Sequence, residues 1–244
     1  MEVVAGYKHY EQLNQEIKQH FEHCKNIVLQ NVMGQRYIGD GLQGKGKITI
    51  YGTPGNDLAA YMNGPEIEIY GNGQDALGNT MNAGTVTVHG HAGDTVGYAM
   101  RGGEIFIQGN AGYRVGIHMK AYKQHKPVIV IGGKAGDFLG EYMAGGILML
   151  LGLGLEEKEE IVGKYCATGM HGGVIYIRGE VDDCQLGKEV KSMPLEEEDK
   201  QIIDRYVKRY CDYFKQDFKA VMQTPFIKII AYNKRPYKNL YTAN

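Results

Sequence analysis

The sequence of 244 residues has few of the features that identify secreted, membrane-spanning or nucleic-acid-binding proteins. Residues 1–25 have no apolar segment of the kind found in signal peptides, which argues against secretion and for a cytoplasmic protein. The longest apolar run, at 147–155, is too short to cross a bilayer. The formal net charge is −1, and this near-neutral balance argues against a basic face that binds nucleic acid.

Cysteine is also scarce, and the four cysteines are too far apart to suggest a shared site. They are Cys24, Cys166, Cys184 and Cys211. No CxxC pair occurs, and disulfides are rare in cytoplasmic proteins. The sequence also lacks a P-loop and any evident pairing of a nucleophile with a base. We therefore expect no catalytic, cofactor-binding or metal-binding residues in this chain.

The chain instead contains 35 glycines and a regular repeat of methionine. The spacing is first 19 residues and then 24 and 27, at Met62, Met81, Met100, Met119, Met143 and Met170. Each methionine ends a pentamer of the form apolar, small, variable, variable, Met. A constant period with a fixed apolar position is typical of a solenoid, in which each repeat stacks on the one before.

Short alternating runs of aliphatic residues lie between the pentamers. They are Ile48/Ile50, Ile67/Ile69, Val86/Val88, Ile105/Ile107, Ile129/Ile131, Leu148/Leu150 and Ile175/Ile177. This alternation predicts strands with one buried face, and the connections are too short and glycine-rich for helices. About 20 residues per coil fit a parallel β-helix, whereas a propeller blade needs about 40 and a leucine-rich repeat needs a Leu/Asn consensus. The sequence therefore predicts an all-β fold, a right-handed single-stranded parallel β-helix of about seven coils.

The methionines themselves have two interpretations. Stacked thioethers could bind a soft metal such as Cu(I), but an unbranched thioether also fills an irregular coil interior well, and we favour a buried core ladder. Two coils are lengthened by polar insertions at 120–127 and 153–161, which we expect to be surface excursions that leave the coil register intact.

Three segments are expected: an N-terminal capping helix at 1–25, the β-helix at 26–193, and a C-terminal extension at 194–244 that packs on the solenoid. The first helix, over 7–24, has an apolar stripe of Tyr10, Leu13, Ile17, Phe21 and Cys24. The extension contains a helix at 195–219, with its own stripe of Ile202, Ile203, Tyr206, Tyr210 and Phe214, then a strand at 226–231 and a basic tail at 234–238. The helices are expected to cover parts of the solenoid that would otherwise be exposed.

The outward strand positions change from polar in the first coils to apolar in the last. A contiguous exposed apolar patch is rare, so we expect the C-terminal helix and strand to cover these columns, with a partner subunit as the alternative cover. The six apolar outward residues are Val128, Val130, Ile147, Met149, Val174 and Tyr176.

Three short motifs suggest ligand binding, and none has the context it needs. The GxGxxG string at 39–44 is followed by a strand, whereas the dinucleotide fingerprint requires a helix. The string GNGQD at 71–75 resembles one calcium-binding nonapeptide but does not iterate. His89 and His91 could chelate a metal, but no third ligand is visible, and we interpret them as surface histidines at a coil corner.

Three outward carboxylates are the remaining candidates for chemistry. Sugar-cleaving β-helices use such groups for acid–base work, and this chain has Glu66, Glu68 and Glu104. No second catalytic cluster accompanies them, so we interpret them as solvated strand residues that aid solubility.

The repeated glycine–methionine pattern with intervening strands resembles the GXGXG domain, the C-terminal β-helix of the glutamate synthase large subunit. The resemblance runs from about Tyr10 to Tyr176. The segments that carry it are 27–31, 39, 93–96, 103–109, 112–114 and 141–146, of which Glu-Tyr-Met-Ala-Gly-Gly at 141–146 is the most specific. The repeats are also similar to the formylmethanofuran dehydrogenase chain that shares this domain.

This resemblance implies a right-handed β-helix and a non-catalytic scaffolding role in a glutamate synthase-type oxidoreductase of nitrogen metabolism and glutamate biosynthesis. FMN and an iron–sulfur cluster are then expected only on partner subunits, the amidotransferase and the FMN-binding synthase of a split enzyme. An accessory chain of a formylmethanofuran dehydrogenase-type enzyme and a free-standing binding module remain alternatives. Self-association is also open, whereas no nucleic-acid or membrane partner is expected.

Overall fold

The computed structural model describes residues 1–156 and 158–232. Its elements in chain order are β1 (Glu2–Val4), α1 (Tyr10–His23), β2 (Asn26–Met33), β3 (Lys47–Thr53), β4 (Asn63–Tyr70), β5 (Ala83–Val88), β6 (Glu104–Ile107), β7 (Val128–Ile131), β8 (Ala144–Leu150), β9 (Gly172–Arg178), a 3₁₀ turn (Asp183–Gln185), β10 (Val190–Met193), α2 (Glu197–Phe214), α3 (Phe218–Val221) and β11 (Phe226–Ala231). The basic tail predicted at 234–238 lies outside the described residues.

Strands β2 to β9 pair in parallel, each with the next along the chain, and so form a solenoid. The register repeats the sequence period, since Lys47 pairs with Glu66, Glu66 with Thr85 and Thr85 with Glu104. The solenoid has about six turns, close to the seven coils predicted, and the all-β parallel fold is confirmed. Its right hand stays a prediction.

The interior of the solenoid is built from the methionines and the alternating strand residues. All six methionines are fully buried, and they share one hydrophobic cluster with inward strand residues such as Ile48, Ile105 and Ile175. The prediction of a core ladder is therefore confirmed. Each of the six pentamers contributes one thioether, so truncating an internal methionine leaves a cavity between its two neighbours in the ladder.

The pentamers form a corner of each coil, where right-handed and left-handed residues alternate. Around the pentamer that ends at Met100, the preceding residue Thr95 and the pentamer residues Gly97 and Ala99 have φ of 56°, 68° and 50°. The amide of Gly97 donates to Leu77 in the preceding coil, while the amides of Thr95 and Ala99 donate to the following coil. A Cβ atom at Gly97 would overlap Ile129 of the next coil, which explains the glycine found at this position in four of the six pentamers.

The N-terminal end is covered by a helix and by a strand that the sequence did not indicate. Helix α1 buries Leu13, Ile17 and Phe21 against the core, while Tyr10 and Cys24 are only partly buried. The helix begins three residues later than predicted. Strand β1 pairs in parallel with β2 and becomes the edge of the sheet. Because β1 has three residues, it is too short to produce an alternating pattern.

The C-terminal extension covers the apolar outward columns, as the sequence predicts. Helix α2 shares a second hydrophobic cluster with them, in which Val174 is half-buried and the other five predicted residues are buried. The predicted helix at 195–219 is divided into α2 and α3, because Lys215 adopts a left-handed conformation that ends α2. Strand β11 has the predicted bounds, but it lies beside β9 in the sheet instead of over its face, and only Phe226 reaches the second cluster.

Neither predicted insertion disturbs the stacking of the coils. Residues 122–126 are exposed, and 153–161 is mostly exposed or half-buried around the undescribed Glu157. No helix within 1–156 and 158–232 is long and apolar enough to cross a membrane.

Candidate functional site

Four polar side chains meet on the outer face of the first coils, around the carboxylate of Glu68. The Nζ atom of Lys47 lies 2.6 Å from Glu68 Oε2. The Nε2 atom of His89 lies 3.0 Å from Glu68 Oε1, and the Tyr70 hydroxyl donates to the same oxygen at 3.1 Å. We call this group the Glu68 cluster.

The period of the solenoid brings these residues together. Lys47 pairs with Glu66, so Glu68, two residues further on, is its diagonal neighbour on the same face. His89 stands in the same diagonal relation to Glu68, again 21 residues away. The rings of Tyr51, Tyr70 and His89 follow one another every 19 residues and stack, with centroids 5.1 and 4.5 Å apart.

The cluster favours one protonation state. Partial burial alone would raise the pKa of Glu68, but hydrogen bonds from Lys47 and His89 outweigh burial and lower it. The hydrogen bond with Glu68 raises the pKa of Lys47. Burial, together with the nearby carboxylate, raises the pKa of Tyr70. At neutral pH Glu68 is therefore ionised, Lys47 is protonated and Tyr70 is neutral.

The Glu68 cluster forms one wall of an open groove of about 470 Å³. The other wall is the end of α2, with Asp212, Tyr213, Phe214 and Lys215. The ring of Phe214 meets His89 edge to face, with centroids 5.2 Å apart. A groove of this size can hold a small ligand. The ionised carboxylate of Glu68 and the protonated amine of Lys47 are already paired, so neither is poised to act as a general base or acid.

The short motifs weighed in the sequence serve the stacking of coils. The string at 39–44 is a loop between β2 and β3, without a following helix. Within 71–75, Asn72 and Asp75 accept hydrogen bonds through their side chains from amides of the next coil, both at 2.9 Å. His91 repeats this role, since its Nδ1 accepts from the Asn110 amide at 2.9 Å. His89 and His91 therefore have separate partners, and His89 belongs to the Glu68 cluster.

Only one of the three outward carboxylates is a plain solvated strand residue. Glu66 is exposed. Glu68 accepts three bonds in its cluster, and Glu104 forms an ion pair with Arg209 of α2, whose guanidinium lies 5.0 Å from the Phe106 ring centroid. The interpretation of Glu68 and Glu104 as solubility residues is therefore wrong. Over the described residues, no three His, Cys, Asp or Glu side chains are grouped so that they could hold a metal ion.

Two rows of aromatic and charged side chains follow the pentamer corners. In the first row, His118 stacks on Tyr142 at 5.3 Å and meets Tyr98 edge to face at 6.0 Å. In the second, Phe138 stacks on Tyr165 at 5.0 Å, while Arg114 lies over Phe138 at 4.5 Å. We call these the corner rows.

The corner rows are held in a costly backbone conformation. His118, Tyr142, Phe138, Tyr165 and Arg114 all have left-handed φ, between 52° and 63°. A side chain in this region costs about 1–2 kcal/mol compared with glycine. Ring stacking contributes about 0.5–1.5 kcal/mol per pair, so it offsets part of the strain.

The sequence analysis did not identify the Glu68 cluster or the corner rows. Members of the Glu68 cluster are diagonal neighbours in adjacent coils, and the corner rows lie at positions in or next to the pentamers that differ in residue type from one repeat to the next. A search for chemically related residues 21 apart would have found Lys47, Glu68 and His89. A search of the residue before each methionine would have found His118 and Tyr142.

The model of the family described as GXGXG motif matches residues 2–232. This match extends past both ends of the resemblance seen from Tyr10 to Tyr176, and it includes the C-terminal helices and strand. The chain is also similar to an uncharacterized protein of Methanocaldococcus jannaschii, with 48% identity over 252 aligned residues that cover 99% of this chain and 97% of that protein.

Proposed function

This chain belongs to the GXGXG motif family, and we propose that it is a non-catalytic structural subunit of a glutamate synthase-type oxidoreductase. In this role the β-helix holds an amidotransferase and an FMN-binding synthase subunit in register. The observation that carries the proposal is the family match over residues 2–232, which makes the described chain one GXGXG β-helix with its caps. The Glu-Tyr-Met-Ala-Gly-Gly string at 141–146 adds the specific likeness to glutamate synthase.

The mechanics of the fold support a scaffold. Each coil is bonded to both neighbours through its strand and through its corner, as the opposed amides of Gly97 and Ala99 illustrate. Parallel strands rise about 4.8 Å per coil, so the stack spans roughly 30 Å with little freedom to bend. A rod of this kind keeps two partners at a constant separation.

The electrostatics of Glu68 and Lys47 support a binding role for this pair over a catalytic one. A base requires a carboxylate that takes up protons near neutral pH, whereas the pKa of Glu68 is lowered. An acid or nucleophile at Lys47 would require a lowered pKa, whereas this one is raised.

The proposal assigns FMN and the iron–sulfur cluster to the partner subunits. The four cysteines of this chain do not fit a cluster. Cys166 and Cys211 are buried in different hydrophobic clusters, while Cys184 is exposed and Cys24 half-buried. Burial also raises the pKa of Cys166 to about 12, which disfavours the thiolate that iron requires. The proposal also places the complex in the cytoplasm.

Coexpression tests the proposal. The tagged chain is produced with the amidotransferase and synthase chains of its own genome, purified, and analysed by size exclusion with light scattering. We expect a stable complex in fixed stoichiometry. Failure to associate with either chain would falsify the proposal. Purification from the native host with molybdenum or tungsten dehydrogenase chains would favour an accessory role in that enzyme class, and a tightly held small ligand without a protein partner would favour a free-standing binding module.

A further inference from the structure

The insertion at 120–127 forms an exposed basic surface together with Arg101. Arg101, Lys120, Lys123, His125 and Lys126 are all exposed, and residues 118–127 include no Asp or Glu. Arg101 and Lys120 directly follow Met100 and Met119, so they hold the same position in adjacent coils. We call these five residues the basic patch.

The loop that carries the patch is held in place. Tyr122 and His125 exchange backbone hydrogen bonds of 3.0 Å, with Lys123 at the tip in a left-handed turn (φ 56°). The loop packs against glycines of the neighbouring coils. A Cβ atom at Gly145 would lie 2.6 Å from the Ala121 amide nitrogen, and one at Gly102 would lie 3.1 Å from His125 Cβ. A preorganised surface loses less conformational entropy when it binds.

The charges of the patch are not neutralised within the described part of the chain. Over residues 1–156 and 158–232, ion pairs involve Lys47, Arg114 and Lys134, but none involves the lysines or the arginine of the basic patch. The chain as a whole has a net charge of −1, so this positive field is local. Like charges within about 8–10 Å repel, and an anionic partner would relieve that repulsion.

The side chains around the patch favour a protein partner over a nucleic acid. Tyr98 and Tyr122 flank it and are 40% and 55% exposed. Tyr and Arg are enriched at the energetic centres of protein interfaces. Nucleic-acid bases stack on free ring faces, whereas Lys123 Nζ lies 5.3 Å from the centroid of the Tyr122 ring and the Tyr98 ring meets His118 at 6.0 Å.

We propose that the basic patch docks an acidic protein surface on a partner subunit of the complex, an inference that rests on the proposed function. Opposite charges across the interface accelerate association and set the orientation of the partners. The tyrosines add the buried contact area that keeps them together.

The test uses three versions of the full chain: the wild type, a patch variant and a matched control. The patch variant is Lys120→Glu, Lys123→Glu and Lys126→Glu. The matched control is Lys45→Glu, Lys208→Glu and Lys219→Glu, which makes the same charge change at exposed lysines elsewhere. Thermal melts establish that both variants fold. Kd for the purified partner chains is then measured at 50 and 500 mM NaCl, and binding to a 30-nucleotide single-stranded DNA is measured beside it.

We expect the patch variant to bind the partner at least about tenfold more weakly at low salt, with the control close to wild type and with wild-type affinity falling at high salt. Hydrogen exchange at 120–127 should slow in the complex. If the wild type binds and the patch variant binds equally well, or the control loses as much affinity, the docking proposal is overturned while the proposed function stands. If the wild type binds neither chain, both are overturned. Patch-dependent DNA binding without partner binding would also overturn the docking proposal.

Discussion

The buried hydroxyl of Tyr176 donates a 2.6 Å hydrogen bond to Asp199 Oδ1, and this bond joins the last coil to the first turn of α2. The second carboxylate oxygen of Asp199 lies 2.7 Å from Lys228 Nζ and accepts the Glu196 amide at 2.8 Å. Asp199 is only 5% exposed. One carboxylate thus connects β9, β11 and the start of the helix that covers the apolar columns.

Asp199→Asn is expected to lower the free energy of unfolding by about 2–4 kcal/mol, because it leaves the half-buried Lys228 with only the distant, exposed carboxylate of Glu196 at 4.0 Å. Asp204→Asn, an exposed position on the same helix, is the control and should change it by less than about 0.5 kcal/mol. Urea unfolding measures both. Equal losses of unfolding free energy in the two variants would show that the hydrogen bonds of Asp199 do not hold α2 on the solenoid.

The same carboxylate predicts a pH dependence of stability. Burial would raise the pKa of Asp199, but bonds with Lys228, Tyr176 and the Glu196 amide outweigh it, and the pKa is lowered from 3.8. A lowered folded-state pKa contributes stability that is present above the unfolded value and is lost as pH falls through the folded value. The difference in unfolding free energy between wild type and Asp199→Asn should therefore be constant from pH 7 to 5 and shrink below about pH 4. A difference that grows on acidification would contradict this assignment.

Met100→Ala should lower the free energy of unfolding by about 2–5 kcal/mol, because the thioether is fully buried between two other methionines of the ladder. Met33 is 63% exposed, and Met33→Ala should cost less than about 0.5 kcal/mol. Chemical denaturation of both variants gives the comparison. A loss at Met100 as small as that at Met33 would mean that the ladder contributes little to the core.

The small residue of the pentamer predicts a steric effect that can be separated from backbone strain. Gly97 and Gly154 both have positive φ, 68° and 75°, but an added Cβ meets Ile129 at Gly97 and nothing within 4 Å at Gly154. Gly154→Ala should cost about 1–2 kcal/mol from strain alone. Gly97→Ala should cost about 2–5 kcal/mol, since overpacking adds to the strain. Thermal unfolding tests this, and equal costs would rule out a close packing role for Gly97.

The outer sites were harder to infer than the core, and the reason lies in how neighbours are related. Core residues recur at a regular sequence interval, so Met62 and Met81 can be recognised as equivalent from their spacing. Members of the Glu68 cluster are diagonal neighbours, and only a known strand register makes Lys47, Glu68 and His89 a group. The pairs Tyr176–Asp199 and Lys228–Asp199 join segments with no common period, so no spacing rule could find them.

By itself the sequence determined the solenoid, its buried ladder, its insertions and the need to cover its last coils. Stacked coils bury apolar side chains at a regular interval, and that interval is visible in the sequence as the repeat period. The tertiary structure alone decided which polar groups meet, how β1 and β10 close the ends, and that β11 extends the edge of the sheet instead of covering its face. Polar contacts depend on direction and on distances of about 3 Å, and these exist only after the coils have stacked and the helix has docked.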